Sequence, residues 1–193
     1  MRLVMKQRCI WPGDDTVYVK YHDTEWGVPV HDDRKLFEFL VLEGAQAGLS
    51  WITILKKRRN YRSLFDNFDY QKVAEYNQHK IDTLLSDPGI IRNRLKIESA
   101  VNNAKAFISI REKYGSFDRY IWQFVNGRPI INKWENETQI PSSTKKSVVM
   151  SRELKNLGFK FTGPKICYAF MQAVGMVNDH IVDCFRYKEV NKL

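Results

Sequence analysis

The chain has 193 residues, 44% of them apolar and 13% aromatic, enough to bury one core and too many for a disordered tail. Thirty-one Lys and Arg against 22 Asp and Glu leave a net charge of +9, a surplus that suits a polyanion without naming one. No stretch approaches the roughly 20 apolar residues of a membrane span, and Met1 to Cys9 lacks the apolar core of a secretory signal, so a single cytoplasmic domain spanning 1–193 is expected.

The predicted elements are helical almost throughout. Asp32 and Asp33 can cap a helix running to about Ala47, and Ser50 can cap a second through Trp51 to Lys57. Asp69 can cap Tyr70 to Tyr76, and Lys80 to Leu85 reads as a short helix stopped by Pro88-Gly89. The longest apolar period, through Ile90, Ile97, Val101, Ala104 and Ile108, predicts a helix from Ile90 to Tyr114 ended by Gly115. Phe117 to Val125 is a further short helix, and Asn126-Gly127 opens a polar loop to Pro141-Ser142-Ser143 that is expected to be mobile or disordered. Lys145 to Leu157 and Lys165 to Val174 then form two helices across Gly158-Phe-Lys-Phe-Thr-Gly163. Strand signals are scarce, so the expected class is all-α, several short helices around one core.

Three cysteines, Cys9, Cys167 and Cys184, are an odd number in a chain without a secretory signal, which argues for reduced thiols. Two of them pair with histidines. Cys9 and His22 lie near the amino terminus; His180 and Cys184, with three residues between them, share one helical face or one turn. Two thiolates and two imidazoles form a closed ligand set for Zn²⁺ that leaves no open position, so such a site would be structural, a staple between the termini at 9–22 and 180–184. The same residues also read as ordinary buried cysteines and satisfied histidines, because only one half of the set is local. Cys167 falls on the apolar side of its helix and is read as core packing.

Leu36, Leu40, Glu43 and Ala47 share one helical face, so Glu43 stands where a leucine belongs. A buried carboxylate costs several kcal/mol unless paired, and either a salt bridge or a function would account for it. Tyr21, Trp26 and Trp51 are placed to surround it: Gly44 to Ser50 is a small-residue turn that can return Trp51 over the acid, and a metal fixing His22 would fix the two flanking rings. In the turn between the last two long helices, glycines bound a helix start whose free N–H groups, with Lys160 and Lys165 nearby, can hold a phosphate; any αα-hairpin can use such a turn as well.

At this point Arg8 to Trp11, Tyr21 to Pro29, Leu42 to Trp51, Gly89 to Arg94, Gly158 to Gly163 and Asn178 to Cys184 together resemble the DNA-3-methyladenine glycosylase I family of the helix-hairpin-helix superfamily, block after block in order along nearly the whole chain. The resemblance implies a helix-hairpin-helix glycosylase-like domain with its hairpin at 145–175 and one structural Zn²⁺ on Cys9, His22, His180 and Cys184. It implies a base pocket of Glu43, Tyr21, Trp26 and Trp51, with Glu43 in the catalytic role. It puts Gln46, Gly48 and Leu49 at the vacated base, and Gly158, Lys160, Gly163 and Lys165 on the DNA backbone. Alkylated double-stranded DNA would be the substrate and free 3-methyladenine the product, released by a monomer that neither binds membranes nor cuts the strand. Most of the superfamily keeps a catalytic aspartate after the hairpin; Asp179 stands near that place, beside His180, and is left outside the catalytic set. The competing readings are a zinc-stapled DNA-binding module without catalysis, a zinc hydrolase and a helical interaction domain.

Overall fold

The computed structural model describes residues 6–193; the first five, part of the stretch read as lacking a secretory signal, lie outside it. Ten helices carry the described chain, and no helix among these residues is long and apolar enough to cross a membrane.

Helix α1, Thr16–Thr24, is an element the sequence reading omits, because Thr16, Val17 and Val19 are β-branched. Asp15 overrides that preference: its carboxylate accepts the Val17 and Tyr18 amides and satisfies two otherwise free helix donors. Helix α2, Asp33–Gln46, starts as expected with Asp32 accepting from Lys35 N. Leu36, Phe37, Phe39, Leu40, Val41 and Leu42 are all buried, so α2 is apolar nearly all round and runs through the core. Helix α3, Trp51–Leu64, runs two turns past the expected end, and Ser50 at its start bonds to the Thr53 hydroxyl instead of capping a backbone amide.

Three short helical pieces follow, a 3-10 turn at Asp66–Phe68, α4 at Tyr70–Ala74 capped by Asp69, and α5 at Gln78–Ser86 capped by Asn77. Helix α6, Arg94–Tyr114, begins four residues later than the periodicity of Ile90 suggests, because the Asn93 side chain accepts Lys96 N and sets the start there. It packs against α2, α4, α5 and α7, the last at Phe117–Ile121, while Trp122–Val125 tightens into a 3-10 turn instead of continuing α7. Helices α8, Lys145–Asn156, and α9, Pro164–Ala173, pack on each other, and α9 also packs on α2. A final helix, α10 at Phe185–Val190, was not expected.

The polar loop after Asn126 corrects the expectation of mobility. Ile130–Ile131 (β1) pairs in parallel with Val177–Asn178 (β2), in the register Ile130 to Val177. Beyond it Val182 N donates to Trp134 O at 2.9 Å. Asp179, almost fully buried, accepts Asn132 Nδ2 (2.6 Å), Trp134 Nε1 (2.8 Å), Tyr168 Oη (2.7 Å) and Gln172 Nε2 (2.8 Å), which ties the loop to α9. The loop is polar in composition because its ordering is done by buried polar bonds that periodicity does not register. At Gly175 the backbones cross so closely that a Cβ would lie 2.3 Å from the Val28 carbonyl carbon, and Val30 N donates to Val174 O alongside. The amino-terminal third is thereby laid against the chain that follows α9.

Candidate active site

Two buried polar clusters lie side by side between the chain ends. In the first, the ligand atoms of Cys9, His22, His180 and Cys184 all lie within 4.8 Å of one another and all four residues are buried. His180 and Cys184 sit on a turn ahead of α10, not on one helix. Cys184 Sγ lies 3.5 Å from His22 Nε2 and 3.6 Å from His180 Nδ1, and Cys9 Sγ lies 3.7 Å from His180 Nδ1. Tetrahedral zinc with bonds of about 2.3 Å to sulfur and about 2.0 Å to nitrogen would separate S and N by about 3.5 Å.

The outer partners fix the tautomers. His22 Nδ1 meets Asp23 Oδ1 at 2.8 Å, and His180 Nε2 meets the Trp26 carbonyl at 3.1 Å. Both partners are acceptors, so each ring N–H points outward and each inward nitrogen keeps its lone pair, the form that a metal takes. Asp23 is held in turn by Arg8 at 2.8 Å. A hydrogen bond from the Cys9 thiol, working against burial, holds Cys184 well below the ordinary thiol range. The donor set and its outer hydrogen bonds fit a closed structural metal site.

The second cluster is a cavity of about 370 Å³ beside the first. Tyr21 and Trp26, at the end of α1 and just beyond it, Glu43 from α2 and Trp51 from the start of α3 all line it, so the four residues assigned from sequence do meet in space. Glu43 is 3% exposed, and among the described residues no cation or donor offsets its charge; burial alone pushes its carboxyl up to about 8. Burial also pushes the Tyr21 phenol up, with the Glu43 charge adding to it. The indole Nε1 of Trp51 and that of Trp11 are buried without an acceptor. Among the described residues the cavity thus presents an acid with no protein partner, framed by aromatic faces.

Other lining residues escaped the sequence reading. Trp11 touches Tyr18 (ring centroids 4.7 Å), Trp26 (5.1 Å) and His22 (5.3 Å), so it belongs to both clusters; its place two residues after a metal-ligand candidate was the available signal. Tyr18 stands one turn ahead of Tyr21 on the unpredicted α1. Glu137, Ile140 and Pro141 come from the loop expected to be mobile, and Ala169 and Gln172 from α9. Gln46, expected at the DNA, also lines the cavity, and its amide donates to Leu49 O at 2.7 Å. Gly48, at φ +79°, and Leu49 are exposed beside it on the α2–α3 turn, which Lys96 Nζ fastens through the carbonyls of Ala45 (2.8 Å) and Ala47 (2.7 Å).

The hairpin turn is exposed at Gly158, Lys160 and Lys165. Gly158 takes φ +89° to end α8, and α6 clasps the turn: Asn103 Nδ2 donates to Lys160 O at 3.0 Å while Lys160 N donates to Asn103 Oδ1 at 2.8 Å. Helix α9 starts at Pro164 behind Gly163, one residue earlier than expected, so its first residue brings no N–H. Cys167 is buried, with Sγ 3.4 Å from Thr162 O, and is core as expected.

A family model described as methyladenine glycosylase matches residues 11–187. The DNA-3-methyladenine glycosylase 1 of Escherichia coli (strain K12) is 49% identical over 181 residues, 94% of this chain and 97% of that protein. A crystal structure of a 3-methyladenine DNA glycosylase I superposes with a TM-score of 0.91 at 50% identity, covering 93% of this chain and 98% of that one. A Staphylococcus aureus structure described as the structural basis of 3-methyladenine recognition superposes with a TM-score of 0.90 at 39% identity, covering 92% and 95%.

Proposed function

The chain belongs to the methyladenine glycosylase family, and from that premise we propose that it is a DNA-repair hydrolase that releases 3-methyladenine from alkylated duplex DNA. The observation that carries this is Glu43, an acid buried without a partner in a cavity walled by aromatic rings. A DNA-binding module would have no use for it.

Adenine methylated at N3 is cationic while attached to the sugar. Extruding it costs a few kcal/mol, less for a damaged base, and stacking in the pocket returns about 1–3 kcal/mol. Tyr21, Trp26 and Trp51 offer the faces, which also attract a cation. Glu43 accepts the exocyclic amino group of the base, and the positive ring favours its ionised form. The C1′–N9 bond then breaks, its electron pair returns to the ring and neutralises it, and a water adds to C1′ and gives up a proton. The products are free base and an abasic site. Among the described residues no lysine lines the cavity to attack the sugar and cut the strand, and the proposed reaction is monofunctional. The normal bases lack the cationic charge that the pocket rewards.

The hairpin at α8–α9 is proposed to grip the backbone through Lys160, Lys165 and the turn amides at Gly158 and Gly163. Leu49 with Gly48 and Gln46 is proposed to fill the gap left by the extruded base. Zn²⁺ is proposed for Cys9, His22, His180 and Cys184; with four protein ligands it would supply no reactive position, only the cross-link between the two ends. One zinc per chain by elemental analysis is expected, and chelation should lower Tm by about 10 °C or more. The test of the function is incubation of methylated duplex with the protein and chromatography of the freed bases. Free 3-methyladenine is expected, and its absence would overturn the reading.

A further inference from the structure

Trp11 forms part of the cavity wall, yet the stretch that carries it, from residue 6 to 14, has no regular structure. Ile10 beside it is 79% exposed. The indole N–H of Trp11 has no acceptor among the described residues, so its ring is held by packing and by whatever fixes its backbone. Two consecutive amides, those of Ile10 and Trp11, point at one oxygen, Oε1 of Glu137; the Trp11 contact is 3.2 Å. Successive amides converging on a carboxylate make a local anion nest.

Glu137 is itself well founded. It opens a 3-10 turn at Glu137–Gln139, in the loop that Trp134 and Asn132 bind to the buried Asp179 and that β1 joins to β2. Ile140 and Pro141 of the same loop line the cavity with it. The loop therefore closes one side of the cavity and, through Glu137, reaches the opposite strand of chain that holds Trp11.

Resting on the reading of this cavity as a base pocket, we propose that Glu137 is a positioning residue: it latches the Ile10-Trp11 backbone to the 130–141 loop and so sets the Trp11 ring in the pocket wall. The latch needs an acceptor oxygen and not a charge. It acts on how the base is held, since nothing in it touches the bond that breaks.

The test compares Glu137→Ala with Glu137→Gln by two readouts, amide hydrogen exchange at residues 10 and 11 without DNA, and steady-state kinetics on methylated duplex. Glu137→Ala is expected to lose the amide protection and to raise KM about tenfold, with kcat within about twofold. Glu137→Gln keeps an acceptor and is expected to recover both. Unchanged protection and KM in Glu137→Ala would overturn the latch, as would Glu137→Gln behaving like Glu137→Ala, which would make the charge the active feature. Wild-type protein that releases no base would sink the pocket reading instead, while the exchange data still judge the latch.

Discussion

Helix α2 carries two buried glutamates five residues apart, and their surroundings are opposite. Glu38, 5% exposed, meets Arg58 at 2.7 Å, Arg62 at 2.8 Å and Lys35 at 3.2 Å. Burial works to raise its carboxyl, but Arg58, ahead of Lys35 and Arg62, overrides burial and holds it below the ordinary range. Glu43, 3% exposed, meets no cation among the described residues, and burial alone carries it up to about 8. One acid is finished by the protein. The other has no partner among the described residues, and the proposed function reads it as an acid kept for a ligand.

The comparison is sharpened first by removing the partner. Arg58→Met leaves Glu38 with only its more exposed cations and is expected to cost about 3 kcal/mol by denaturant titration. Glu43→Gln should act with the opposite sign. Its folded value near 8 lies above its ordinary 4.5, so the unfolded chain ionises first as pH rises, and wild-type stability falls between those values. The Gln variant lacks that loss: equal to wild type below about pH 4.5, it should be more stable by on the order of 1–3 kcal/mol at pH 8, measured by melting across the range. A wild-type advantage at pH 8 would break the comparison. The smallest effect belongs to Lys35→Met, at the half-buried rim of the Glu38 cluster, expected to cost about 0.5 kcal/mol.

What the sequence made legible follows the same division. Glu43 was visible because a carboxylate at a leucine position breaks helical periodicity, and Tyr21, Trp26 and Trp51 because they cluster near it in the chain or beside a metal-ligand candidate. Glu38 carried only the i,i+3 spacing to Lys35: its closer partners Arg58 and Arg62 lie a helix away, and pairing across helices leaves no local pattern. The metal cluster was half legible, since His180 and Cys184 are neighbours while Cys9 and His22 arrive from the other end of the chain. The 126–141 loop was misread because its order comes from β1, from Asp179 and from Glu137, each a long-range polar bond; the third wall of the cavity went with it. Helix starts set by side-chain caps, such as Asn93 for α6 and Asp15 for α1, were displaced or missed where apolar or β-branched neighbours gave a stronger impression.

The account rests on Glu43 being kept free for the extruded base, and base release by Glu43→Gln from methylated duplex addresses it most directly. A fall in kcat/KM of about tenfold to a hundredfold, from a protein at least as stable as wild type, is expected. Release at the wild-type rate by the Gln variant would contradict it.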